Sequence, residues 1–269
     1  VNLLLRYFHN LFAGIAIPLV LSLRHAALLQ MLVKRDLINR SSGTILGRIW
    51  PILQPTLQMA GFWFLFDIVY GMRTNQGPSF LTYLLSGMLP WFCVSEVLSR
   101  SSNMFREFSN LYRRSAFPVE ILPVLMMLVP GLIYTFVYAL VCFALFGVVS
   151  ALLALLVIPL LLLWLLPLIY LCSVLGVFVR DFAQALPILL MFTMYCTPIL
   201  YFPDMLPETV RSLLWLNPFA DIMLFVHAFV GDAPMSWPAI YRLLALWFLL
   251  LGPAWVVYRR SLPHVREVL

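Results

Sequence analysis

Very little in this chain is equipped for covalent chemistry. The four histidines, His9, His25, His227 and His264, are scattered, and neither H-E-x-x-H nor G-x-S-x-G occurs. A phosphate-cradling P-loop needs Gly-Lys followed by Ser or Thr. The single lysine, Lys34, is followed by Arg35, so if ATP drives this protein the ATPase is a separate polypeptide or lies outside this sequence. Cys93, Cys142, Cys172 and Cys196 sit in apolar stretches without C-x-x-C spacing, which suggests neither a disulfide framework nor a metal site. Ion-coupled transport usually keeps acids deep in the membrane. Here Asp67 and Glu96 fall near span ends, and the middles of the later spans have none. What stands out instead is aromatic side chains in helical register. Phe62, Phe66 and Tyr70 recur at i, i+4, i+8, with Trp63 beside them. Tyr195, Pro198 and Phe202 share a second face, with Met191 and Tyr201 adjacent. Aromatics near span ends also serve as belt or packing residues.

The elements that must position these rings are membrane helices. Of 269 residues, 63% are hydrophobic and only 10% charged, against roughly a quarter charged in an ordinary soluble domain. Mean hydropathy is +0.98. Disorder, coiled coil and a soluble α/β enzyme are excluded. Stretches of about 20 apolar residues place six spans near 49–70, 78–99, 121–147, 151–179, 183–203 and 238–258. The third and fourth divide a run from Ile121 to Val179 that is 59 residues long and has no ionisable side chain. The fold class expected is all-α integral membrane, with residues 1–48 as cytoplasmic and interfacial helices and 260–269 as a cytoplasmic tail. Residues 204–237 are expected to form two short re-entrant or interfacial helices joined at Leu216-Asn217-Pro218. With both termini cytoplasmic, 14 of the 17 basic residues fall inside and 3 outside, as the positive-inside rule requires. The net charge of +6 is thereby explained without a nucleic-acid partner. Residues 7–23 are apolar but contain His9, Asn10 and Pro18, and are read as an interfacial helix rather than a span.

Two segments carry a resemblance. In the first, Arg35-Asp36-Leu37, Arg40, Gly43, Leu46-Gly47, Trp50 and Pro55 follow an R-D-L-x-x-R-x-x-G-x-x-L-G-x-x-W-x-x-x-x-P pattern. In the second, Thr197-Pro198-Ile199-Leu200-Tyr201 is followed by Asn217-Pro218. Together they resemble the ABC-transporter permeases that export lipid-linked polysaccharides: O-antigen, capsule and teichoic acid. The resemblance runs from about residue 28 to the C-terminus, with Ser41 departing from a frequent Tyr.

The resemblance implies a six-span transport subunit of the bacterial inner membrane, without catalytic residues. It would pair with a second copy of itself and with two copies of an ABC ATPase that bind ATP and magnesium; this chain would hold no cofactor. The substrate implied is an undecaprenyl-diphosphate-linked glycan, O-antigen first, with capsule, teichoic acid or a small molecule as alternatives. Phe62, Trp63, Phe66, Tyr70, Tyr195, Tyr201 and Phe202 would line the channel, since sugar rings stack on aromatic faces with little regard to identity. Arg106, Glu107, Tyr112, Arg113 and Arg114 would receive the ATPase stroke. Arg35, Asp36, Arg40, Arg180 and Asp181 would meet membrane lipid, the ATPase or the carrier diphosphate, although a plain topology anchor suits the same residues.

Overall fold

A computed structural model describes residues 2–41, 43, 45–69, 71, 80–112, 117–231 and 234–268. Among them there is no strand. The chain builds α1 (Asn2–Arg24), α2 (Ala26–Ser41), α3 (Trp50–Trp63) continued by a π-helical turn (Phe64–Val69), and α4 (Phe80–Glu107). There follow α5 (Ser109–Tyr112), α6 (Leu122–Phe146), α7 (Val148–Phe178), α8 (Phe182–Tyr195), α9 (Glu208–Arg211), α10 (Pro218–Val230) and α11 (Trp237–Val268).

Six helices are long and apolar enough to cross a membrane, but they are not the six the sequence suggests. The first helix qualifies, over Leu5–Arg24, because Pro18 does not break it. The fifth expected span does not qualify alone: α8 has 14 residues and rises about 21 Å, short of a hydrocarbon core of about 30 Å. It stops because Pro198 supplies no N–H to continue the ladder, and Cys196 to Leu200 turn instead. Between α8 and α11, residues Glu208–Leu216 and α10 form a pair bent by 97° at Asn217. The segment expected as a cytoplasmic loop from Arg100 is also shorter, since α4 runs on to Glu107.

The long helices pack as a bundle with α4, α6 and α7 at its centre. Buried side chains form two clusters, stacked along the bundle. One holds Leu84, Trp91, Val94, Tyr138, Ile158 and Met223; the other holds Leu11, Phe105, Met126, Tyr170, Trp255 and Tyr258. Lipid is as apolar as these side chains, so close packing and internal hydrogen bonds must hold the helices together. At the crossing of α4 and α7, a Cβ added to Gly176 would lie 1.7 Å from the Ser102 carbonyl oxygen. Ser101 and Ser102 turn their hydroxyls back onto the carbonyls of Val97 (2.6 Å) and Ser99 (2.7 Å), which keeps this face small. The first helix is fixed to the second cluster: the Tyr170 hydroxyl donates to Gly14 O at 2.6 Å, and Gly14 and Gly252 let α1 and α11 approach each other. Between α2 and α3, Gly43 and Gly47 have φ of +76° and +54°, left-handed values that favour glycine; this is the physical content of the two glycines in the first motif.

Gly176→Ala should therefore cost about 3 kcal/mol or more by overpacking, because backbone, not a flexible side-chain tip, occupies the space. Thermal unfolding of the purified protein in detergent checks this: an unchanged midpoint would mean that α4 and α7 cross less closely.

Candidate functional site

Aromatic side chains from four elements form a continuous path. Phe62 and Phe66 stack with ring centroids 6.4 Å apart and planes 9° from parallel, so the π-helical turn that begins at Phe64 keeps the two rings in register. Phe66 meets Phe80 on α4 at 5.4 Å. Phe80 meets Phe202 beyond α8 at 5.8 Å, Phe202 meets Tyr83 at 4.5 Å, and Tyr83 stacks on His227 of α10 at 3.8 Å. Edge-to-face and offset geometries of this kind are the favoured ones for aromatic pairs.

The path differs from the two helical faces read from spacing. Phe62, Phe66 and Phe202 belong to it. Trp63 and Tyr195 are exposed and point away from it, Tyr201 is half-buried, and Tyr70 lies outside the described residues. Tyr195, Pro198 and Phe202 do not share a helical face, because the helix has ended at Tyr195. Phe80, Tyr83 and His227 were missed. The first two sit three apart at the start of α4, an i, i+3 signal that was available; His227 was set aside as a lone histidine.

The two halves of the second motif meet in space. Asn217 Nδ2 donates to Cys196 O (3.2 Å) and to Thr197 Oγ1 (3.0 Å), while its Oδ1 accepts from Phe219 N (3.0 Å) as the N-cap of α10. One amide thus closes the end of α8 and starts α10. Thr197 is fully buried; its hydroxyl donates to Thr193 O at 2.7 Å and accepts from Asn217, so both of its hydrogen-bonding roles are filled. Pro218 at the first position of α10 lacks the donor that a helix start leaves unused.

Beside this turn, Asp221 is buried and held by two bonds from Arg242, Nε to Oδ2 at 3.0 Å and Nη2 to Oδ1 at 2.6 Å. His227 is buried, with Nδ1 3.1 Å from Ser86 Oγ. The Tyr83 hydroxyl donates to Pro198 O at 2.7 Å. These groups border a cavity of about 670 Å³.

A second polar cluster joins α2 to α4 at the other end of α4. Arg100 Nη2 reaches Asp36 Oδ2 at 2.9 Å and Glu107 Oε1 at 3.3 Å. Arg40 Nη2 lies 2.5 Å from Glu96 Oε1, and its Nε 3.8 Å from Asp36 Oδ1. With Gln54, Gln58 and Tyr134 these residues line a cavity of about 560 Å³. Three carboxylates face two guanidiniums here, so the cluster carries one negative charge in excess and offers no spare positive charge to an anion. In the sequence Glu96 and Arg100 stand one turn apart near a span end, with nothing local to mark their partners on α2. Of the other candidates, Arg35 is exposed and lies over the Phe108 ring at 5.6 Å. Arg180 and Asp181 are exposed at the turn between α7 and α8 and do not line this cavity. Arg106 and Glu107 are exposed in the last turn of α4, and Tyr112 closes α5. Arg113 and Arg114 lie outside the described residues.

Two measurements test these contacts. Asn217→Ser keeps an N-cap oxygen but loses the reach to residues 196 and 197, while Asn217→Ala loses both. Melting temperatures should fall in the order wild type, Ser, Ala, with about 1 kcal/mol between the last two. Arg100→Gln should cost roughly 2 kcal/mol by leaving Asp36 underpaired, and adding Asp36→Asn should recover most of it; independent, additive costs would refute the coupling.

Known proteins with similar sequences bear on this arrangement. Residues 27–230 match the profile of the ABC-2 type transporter family. An O-antigen export system permease protein RfbA of Klebsiella pneumoniae is 28% identical over 203 residues, covering 73% of this chain and 77% of that protein. A second RfbA of Klebsiella pneumoniae is 25% identical over 248 residues, covering 90% and 95%. The RfbA of Myxococcus xanthus is 28% identical over 239 residues, covering 83% and 90%. The profile covers the interfacial motif, the aromatic path and the Asn217 bridge, and this chain, a multi-pass membrane protein, belongs to the ABC-2 type transporter family.

Proposed function

We propose that this chain is the membrane subunit of an ATP-driven exporter that moves an undecaprenyl-diphosphate-linked polysaccharide, O-antigen in the first instance, across the bacterial inner membrane. It works as a pair of copies with two copies of a separate ATPase, which binds the ATP and magnesium. Three O-antigen export permeases similar over most of the chain support the substrate class.

The observation that carries the reading is the aromatic path from Phe62 to Tyr83. A long glycan must be held weakly and released repeatedly. Hydrogen bonds that recognise one sugar at every step of the path would stall the next, whereas stacking of C–H faces on rings is modest and tolerant of identity. Trp63 on α3 and Tyr195 at the end of α8 are exposed off this path.

Force reaches the path through α4. This helix has 28 residues and is about 42 Å long. One end carries Phe80 and Tyr83, and the other carries Arg106 and Glu107, which lead into the segment from Tyr112 to Arg114 where the ATPase docks. The ion pairs of Arg100 and Arg40 tie this end to α2. The basic excess near α2 puts it on the cytoplasmic side. Arg35 and Arg180, exposed and outside the closed ion cluster, are the guanidiniums available to the carrier diphosphate.

Deleting the gene from its host should abolish surface polysaccharide and leave lipid-linked glycan inside the cell; unchanged surface glycan would refute the reading. The double variant Phe66→Ala/Phe202→Ala should lower export roughly threefold to tenfold, as loss of about 1 kcal/mol of ring contact would, while the complex still assembles. Phe66→Leu/Phe202→Leu separates stacking from packing: leucine refills the volume, so restored export would mean the rings only pack.

A further inference from the structure

The cavity at the α10 end of α4 has features that weak sliding along a ring path does not require. Its volume of about 670 Å³ lies within the range of small-ligand pockets. Two of its polar residues are almost wholly buried, Asp221 at 2% exposure and His227 at 3%, so their positions are set by the scaffold. Asp221 is oriented by the paired bonds from Arg242. Arg242 Nη1 remains without a partner among the described residues and borders the cavity. His227 is wedged between the Tyr83 ring at 3.8 Å and Gly87, where a Cβ would stand 2.9 Å from its Cε1. Its Nδ1 engages Ser86. The aromatic walls are Tyr83, Phe146, Phe202 and Trp215, and Trp215 is 59% exposed, leaving indole surface free for a ligand.

The charge balance narrows the ligand. Asp204 and Asp221 are each paired, with Arg211 at 2.9 Å and Arg242 at 2.6 Å. Among the described residues that line the cavity, two acids matched by two bases give neither a cation nor a phosphate a net attraction. Fixed planar polar groups, a hydroxyl and an exposed indole instead suit a neutral ligand with hydroxyl groups on its rim and apolar C–H faces. Phe202 and Tyr83 belong both to the cavity and to the aromatic path, so a chain following the path arrives here.

We propose that this cavity is a saccharide-binding subsite that holds one or a few sugar residues of the exported glycan at the far end of the path from the α2–α4 ion cluster. The inference rests on the reading of the chain as a glycan exporter. Arg242, the exposed partner of the pair, donates to sugar hydroxyls while the buried Asp221 fixes its guanidinium, and Trp215 covers a sugar face. The site grips where the path only guides, and so acts against backsliding between power strokes.

The test is titration calorimetry on the permease–ATPase complex in lipid nanodiscs, with an oligosaccharide of a few repeats released from the host's own surface polysaccharide as ligand. Binding should be saturable and should weaken about fivefold or more in Trp215→Ala, as expected for loss of one stacked ring. Trp215 is exposed and belongs to neither core cluster, so this variant keeps the fold. Arg242→Lys should weaken binding as well, because an ammonium cannot reproduce the planar fork. Affinity should be nearly unchanged in high salt, and inorganic phosphate should not compete. Equal binding by wild type and Trp215→Ala, or competition by phosphate, overturns the subsite. If either happens while deletion of the gene still abolishes surface glycan, the exporter stands and only the subsite falls. If deletion leaves the glycan intact, the exporter reading itself has failed.

Discussion

An apolar bundle in lipid has no water to satisfy a stray charge, and this constraint orders the rest of the molecule. With one residue in ten charged, the chain arranges several of its charges as pairs near the ends of the bundle. Asp221 meets Arg242, Arg100 meets Asp36 and Glu107, Arg40 meets Glu96, and Glu120 meets Arg259. Each pair joins two helices that sequence separates, apart from Arg100–Glu107 within α4. The pairs therefore also register the helices along the bundle, which uniformly apolar surfaces of Leu and Val do poorly. Between the two polar layers most of the buried surface is hydrocarbon, and level with the inner layer stand small residues, Ser101, Ser102 and Gly176. A close backbone approach there replaces the hydrophobic driving force that lipid removes.

How legible this was depends on the range of each interaction. The six-helix, all-α class follows from composition and apolar run length, because the bilayer imposes one length on every span. The motif glycines Gly43 and Gly47 were legible as turn residues. Which helices reach spanning length was less so. The first helix reads as interfacial from His9, Asn10 and Pro18, yet it is long and apolar enough to cross, and the tertiary contacts of Gly14 with Trp255 and Tyr170 leave no periodic mark. The early end of α8 was readable in principle from Pro198; extending the helical face through it to Phe202 treated an apolar run as if it guaranteed a helix. The rings of Phe62 and Phe66 were found by spacing because they are neighbours on one element. Phe80 and Tyr83 share a face of α4 by their spacing, but that they meet Phe66, Phe202 and His227 depends on contacts between elements, which periodicity cannot reveal. The same holds for Glu96 and Arg100: their charges were visible, but their partners on α2 were some sixty residues away.

The Asn217 bridge shows why two short motifs that look unrelated in sequence belong together. Thr197-Pro198 ends a helix too short to cross, and Asn217-Pro218 starts the next one, bent 97° from what precedes it. A helix stop inside an apolar environment leaves orphan carbonyls, and the Cys196 carbonyl is satisfied by an amide twenty-one residues on. The side chain that does this also caps α10, so the stop and the start cannot be separated without exposing polar backbone. That makes the segment from Tyr195 to Pro218 one mechanical piece, despite its irregular backbone.

This piece carries Phe202, and α4 carries Phe80 and Tyr83. Tyr83 ties the two together through its hydroxyl on Pro198 and its ring on His227. A displacement of α4 along its axis would therefore shift the far rings against α10, while the near end moves with α2 through Arg100 and Asp36. No part of this linkage needs a flexible hinge within α4, whose single internal proline, Pro90, is fully packed in the larger core cluster's helix. A helix clamped at both ends would transmit motion because the apolar region between can slide, while the near clamp cannot detach without stranding a charge and the far one cannot detach without leaving the Tyr83 hydroxyl and the Pro198 carbonyl unpaired.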